Sequence, residues 1–131
     1  MLLICILFTV NASASAKRYP KAASIETLQL LNNKELSKIF KGGTTIVGTN
    51  LKWQNKAVQK YYSDNTYKGL VANGRKRIAG TWSIKNDMIC HSPKNRSKNI
   101  CRSVYKDGAY LVELNKKKMI SILKFKVKKQ K

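Results

Sequence analysis

Acidic residues are scarce in this chain: six Asp and Glu stand against 27 Lys and Arg, with one histidine, three cysteines and two prolines among 131 residues. That scarcity narrows the chemistry. Asp64, Asp87 and Asp107 fall in turn sequences, Glu26 and Glu35 in helical ones, and Glu113 pairs with Arg102 in the expected register. No close carboxylate pair is left for general acid–base work. His91 has Ser92 beside it, but neighbours on a strand point to opposite faces, so no triad follows. Cys90, Cys101 and His91 make only three metal donors, at a spacing that fits no common structural zinc site. The stretch NGRKRIAG, Asn73 to Gly80, has the wrong glycine spacing for a dinucleotide fingerprint and no strand–helix unit around it. These gaps argue against an enzyme and against any metal or organic cofactor.

No apolar run is long enough to cross a bilayer. The most apolar one, Leu2 to Val10, is about nine residues, where a spanning helix needs roughly 20. It is followed by NASASA, with small-residue cleavage sites ending at Ala14 or Ala16, so residues 1–16 read as a secretory signal peptide, although no basic residue precedes the run. Every Lys and Arg lies after residue 16, so cleavage keeps the whole net charge of +21 and leaves no transmembrane span. It removes Cys5. The two remaining cysteines, Cys90 and Cys101, are expected to form a disulfide in the periplasm or medium, two buried free thiols being the alternative.

The mature chain suits one domain with one core. Residues 17–23 are basic and contain Pro20, which predicts a flexible arm. Residues 24–131 then form a single β-rich domain. Ser24 suits an N-cap for a short helix with Ile25, Leu28 and Leu31 on one face, and Asn33 can cap a second with Leu36, Ile39 and Phe40, stopped by Gly42-Gly43. Beyond Gly43 the apolar period becomes two and turn signals recur about every ten residues. The fold class is therefore mainly β: an antiparallel meander forming a small barrel or strongly curved sheet, with short N-terminal helices packed at one end.

Within that meander, Ile78, Gly80, Trp82 and Ile84 alternate with Ala79, Thr81 and Ser83, so the first set faces the core. A turn at Asp107-Gly108 places Tyr105 opposite Tyr110 and Arg102 opposite Glu113, with Cys101, Tyr105, Tyr110, Val112 and Leu114 on one face, turned toward Trp82. In the last strand, Met119 to Val127, the apolar phase slips between Ile122 and Leu123, which predicts a β-bulge. Past it Lys124, Lys126 and Lys128 project from one side, as a ridge for a polyanion or as the guard of an exposed sheet edge.

Four pieces, ELSKIFKGGT (Glu35 to Thr44), YSDNTYKG (Tyr62 to Gly69), GTWSIKNDMIC (Gly80 to Cys90) and CRSVYKDG (Cys101 to Gly108), resemble small exported alphaproteobacterial proteins of unknown function. These have a Gly-Thr-Trp strand and two cysteines around a β-hairpin. Asn65 stands where that pattern has glycine. The resemblance implies the fold and export, and names no active site.

With charge the dominant feature, the leading expectation is a non-enzymatic module for an anionic envelope surface or other polyanion. Lys94, Arg96, Lys98, Lys116, Lys117, Lys118, Lys124, Lys126 and Lys128 would form the contact. A lipocalin-like carrier is the alternative, holding a small apolar ligand among Trp82, Tyr105 and Tyr110, unless those aromatics simply fill the core. Nucleic-acid binding and inhibition of a secreted hydrolase by the loop Pro93 to Asn99 follow behind.

Overall fold

The computed structural model describes residues 28–115 and 120–128; the expected signal peptide, the basic arm, the first expected helix up to residue 27 and Lys116–Lys118 lie outside them. One helix, α1 (Asn33–Ile39), precedes eight strands: β1 (Thr44–Asn50), β2 (Asn55–Tyr61), β3 (Thr66–Val71), β4 (Lys76–Lys85), β5 (Met88–Pro93), β6 (Ile100–Asp107), β7 (Tyr110–Asn115) and β8 (Ile120–Val127). Each strand pairs antiparallel with the next, and β8 returns to pair with β1, so the meander closes into a barrel. Closure corrects one expectation: Lys124 and Lys126 lie opposite Thr49 and Val47, so β8 is not an exposed edge. Closing the barrel has removed the edge that lysines would guard.

Local chemistry accounts for the turns. Asn86 and Asp87, at φ 52° and 58°, make the tight β4–β5 turn, and Asn65 and Asn73 take φ 65° and 57° in theirs. Asn tolerates this left-handed region better than most residues. On β8, Glu113 lies opposite Leu123 but Leu114 opposite Ser121, which leaves Ile122 as the extra residue of a bulge. The slip in apolar phase has this origin. Gly80 faces inward with Trp82, and a Cβ there would run into the Ser92 carbonyl oxygen on β5. The Cys90–Cys101 disulfide joins directly paired residues of β5 and β6.

The β6–β7 register differs from expectation. Gly108 takes φ 58° and the turn is Gly108-Ala109, closed by Asp107 opposite Tyr110. Tyr105 consequently faces Val112, and Val104 faces Glu113; Arg102 is not opposite Glu113. Cys101, Tyr105, Tyr110, Val112 and Leu114 do share strand parity, but on the outside of the barrel, where Tyr105, Val112 and Leu114 form a separate cluster with Leu28 and Leu51 packed on it. Trp82 belongs to the interior cluster, so the two do not meet.

The first expected helix is also corrected over its described part. Residues 28–31 form no helix, and Leu30 sits in an isolated antiparallel bridge. The β5–β6 ladder covers only Ile100 to Arg102 of β6, so the backbone of β6 further along needs another partner. The chain supplies it: Leu31 N–H donates to Val104 at 2.8 Å, Lys106 N–H donates to Gln29 at 2.9 Å, and Leu30 bridges Tyr105.

The helix α1 plugs one end of the barrel. Asn32 caps it, accepting from Glu35 N–H at 2.9 Å while the Glu35 carboxylate accepts from Asn32 N–H at 3.2 Å. Asn33 and Asp87 exchange two 2.7 Å bonds that tie the helix start to the β4–β5 turn. Leu36 and Phe40 are thereby driven into the core with Ile46, Tyr61, Ile89, Val104 and Phe125. The opposite end carries the loops after β1, β3 and β5 and, among the described residues, no helix. The outer faces of β2 and β3 carry Lys56, Lys60 and Lys68, and the strands are six to ten residues long. A lipid-spanning barrel typically has a continuous apolar outer band and strands of about 9–11 residues; here lysines interrupt the outer face of β2 and β3, and of the eight strands β4 alone reaches that length.

Candidate ligand-binding cavity

The interior is divided along its length. Toward α1 it is filled by rings: Phe40 meets Tyr61 edge-to-face at 4.9 Å, Phe125 lies 6.1 Å from Phe40, and Trp82 stands edge-on to Tyr61 at 5.7 Å. Toward the other end, inward positions become polar. Gln59 of β2, His91 of β5, Arg102 of β6 and Glu113 of β7 line a cavity of about 1010 Å³ that runs out past Ile78, Pro93 and Ile100 to Lys76, Lys94 and Arg96 at the rim. Eight-stranded barrels sit at the size where an interior is either filled or holds one small ligand; here each half follows one of these courses.

The polar residues form a connected floor. Tyr61 Oη donates to Gln59 Oε1 at 2.7 Å, and His91 Nε2 lies 2.7 Å from Tyr61 Oη. With the phenol's one proton directed to Gln59, His91 donates from Nε2. Burial, assisted by the Arg102 charge, lowers the His91 pKa from 6.5 to about 4, so the ring is neutral at pH 7. Burial raises the Tyr61 phenol well above 10, with the Glu113 charge and Tyr67 adding to the rise. The Tyr67 ring stacks edge-on against His91 at 4.9 Å.

Glu113 is the outlier of this group. It is 7% exposed, its Oε1 has no hydrogen-bond partner among the described residues, and burial raises its pKa from 4.5 to about 7, with Arg102 opposing. Arg102 is near enough to act on both His91 and Glu113, yet it makes no ion pair among the described residues; its guanidinium donates to the Cys101 carbonyl at 3.3 Å. Among the described residues no three of His, Cys, Asp and Glu converge as a metal site. The floor works through hydrogen bonds and charge.

The expected site residues are distributed differently from the sequence reading. Lys94 and Arg96 stand at the cavity rim, while Lys98 is exposed on the same loop without lining it. Lys124 and Lys126 are on the outer face of β8, their ammonium groups 4.5 and 4.4 Å from the Tyr110 ring centre, and Lys124 reaches Asp107 at 3.9 Å. Lys128 is exposed, its N–H bound to the Thr45 carbonyl. Trp82 is an inward packing residue whose Nε1 donates to the Tyr62 carbonyl at 3.2 Å. Tyr105 and Tyr110 are outside the barrel, so these three aromatics line no common pocket. Sequence reasoning passed over Gln59, His91, Arg102 and Glu113 as cavity residues. Their shared inward parity, once the strands are placed, is the signal that links them. No family model, curated protein or solved structure matches this chain.

Proposed function

We propose that this chain is a non-enzymatic binding barrel that takes one small acidic molecule, an anionic group on an apolar body, into the end opposite α1. The observation that carries the reading is Arg102, a guanidinium inside the cavity with no ion-pair partner among the described residues. Glu113, the acid near enough to feel the Arg102 charge, is pushed toward its neutral form by burial, so a buried or half-buried cation here is costly unless an anion completes it. Lys76, Lys94 and Arg96 at the rim draw acids to the mouth, and Ile78, Pro93 and Ile100 offer apolar wall. The polar floor argues against a purely apolar cargo. The disulfide and the apolar start of the chain support export to the periplasm or medium.

The test is titration of the purified chain with anilinonaphthalene sulfonate, an anionic probe with an apolar body. One molecule bound per chain is expected, with affinity falling about tenfold, ~1.4 kcal/mol, in Arg102→Leu. Equal affinity in Arg102→Leu and the unaltered chain refutes the reading.

A further inference from the structure

The outer surface of β1–β3 carries a second feature, although Val58, Lys60, Lys68, Leu70 and Arg77 also border the cavity. Across the sheet the register runs Lys126, Val47, Val58, Leu70, Arg77, so three aliphatic residues stand side by side between two cations. Val47, Val58 and Leu70 are 40%, 41% and 43% exposed. The next outward row on the α1 side contains Lys60 and Lys68, and the next on the other side contains Lys56. Three apolar side chains are thus ringed by five positive ones. Trp53, 55% exposed, stands beyond the Lys56 row in the turn joining β1 to β2, with Lys52 over its ring at 4.7 Å. Strands β1 to β4 contain no acidic residue.

Neither half of this pattern is needed by the fold. A closed barrel has no edge for outward lysines to guard, and single exposed aliphatics are ordinary, whereas a contiguous row marks a contact. We propose that the outer face of β1–β3, with Trp53 at its border, docks reversibly on the surface of an anionic lipid bilayer. Shallow insertion of the Val47–Val58–Leu70 row would bring the surrounding cations to the headgroups, and Trp53 suits the interfacial layer. A protein partner fits less well. Stable protein interfaces bury roughly 800 Å² per side around an aromatic or arginine-rich centre and are depleted in lysine; this patch has a three-residue centre and a lysine border.

The experiment is flotation of the full chain with phosphatidylcholine vesicles made with and without phosphatidylglycerol. Binding only to the phosphatidylglycerol vesicles is expected. Val58→Ser/Leu70→Ser should weaken it about tenfold, and Lys60→Glu/Lys68→Glu at least as much. Lys85→Glu/Lys98→Glu, which changes net charge equally on other elements, should lose clearly less, and Arg102→Leu should bind as the unaltered chain does. Circular dichroism spectra matching the unaltered chain show that the variants fold. Equal losses from the two charge reversals would mean attraction by bulk charge and overturn the proposal. So would unchanged binding by Val58→Ser/Leu70→Ser, absence of vesicle binding, or loss in Arg102→Leu, which would instead place the lipid headgroup in the cavity.

Discussion

His91 and Glu113 share the cavity floor, and their effects on stability run in opposite directions with pH. Burial raises Glu113 from 4.5 to about 7. Between those values the folded chain keeps a proton that the unfolded chain has released, so stability from this group is full below pH 4.5 and is lost as pH rises through about 7. Burial lowers His91 from 6.5 to about 4. Here the unfolded chain binds the extra proton, so stability is full above pH 6.5 and is lost as pH falls through about 4. Each pH unit of separation is worth about 1.4 kcal/mol, which makes each swing about 3 kcal/mol. The two overlap between pH 4.5 and 6.5 and nearly cancel there. The unaltered chain should therefore show almost flat stability across that window, measured from urea unfolding at fixed ionic strength. Glu113→Gln should unmask the histidine limb, gaining about 3 kcal/mol from pH 4 to 6.5. His91→Gln should unmask the carboxyl limb, losing about as much from pH 4.5 to 7. Asp64, lowered by its bonds to Thr66, contributes equally to all three proteins and drops out of the comparison. A flat profile in either variant refutes the assignment of both groups to the buried floor.

Three other perturbations test the frame. Cys90→Ser/Cys101→Ser opens a link between residues 11 apart and should cost about 3 kcal/mol in urea unfolding. Gly80→Ala drives a methyl group against the Ser92 carbonyl, and a loss of about 1–3 kcal/mol is expected from the same measurement. Phe40→Ala removes the ring that seats α1 against Tyr61 and Phe125; about 3–5 kcal/mol should be lost, read as a lower thermal midpoint.

Local features of this barrel were legible in the sequence where a single strand carries the signal. The alternation of Ile78, Gly80, Trp82 and Ile84 set the inward face of β4, and the phase slip at Ile122 marked the bulge. The cysteines followed from their number once Cys5 was set aside. What escaped depends on several strands at once. On β6 and β7 both faces are partly apolar, so period two offered two phases, and the more apolar set, Tyr105, Val112 and Leu114, turned out to lie outside. Residues 28–31 have helical spacing, but the unfilled side of β6 draws them into extended pairing. Closure is invisible to any one strand, and with it went the meaning of the lysines on β8. The cavity was hidden for the same reason: Gln59, His91, Arg102 and Glu113 come from four strands.

Tyr61 joins the two halves of the interior and offers a way to separate them. Its ring is fully buried against Phe40 on the α1 side, while its hydroxyl holds His91 and Gln59 at 2.7 Å on the cavity side. Tyr61→Phe keeps the first set of contacts and deletes the second. The core should survive, because the ring is retained, but a buried imidazole N–H and an amide oxygen lose their partner, at a cost of about 1–3 kcal/mol. The floor should loosen where a ligand would rest. Nuclear magnetic resonance of the single histidine should then show His91 exchanging between tautomers, whereas the unaltered chain holds the Nε2-protonated form alone. Binding of the anionic probe should weaken without any change in the methyl signals of Leu36 on α1. If Tyr61→Phe leaves the histidine signals untouched, the hydroxyl is not what orders the cavity floor, and the division of the barrel into a packed half and a binding half would have to rest on side-chain volume alone.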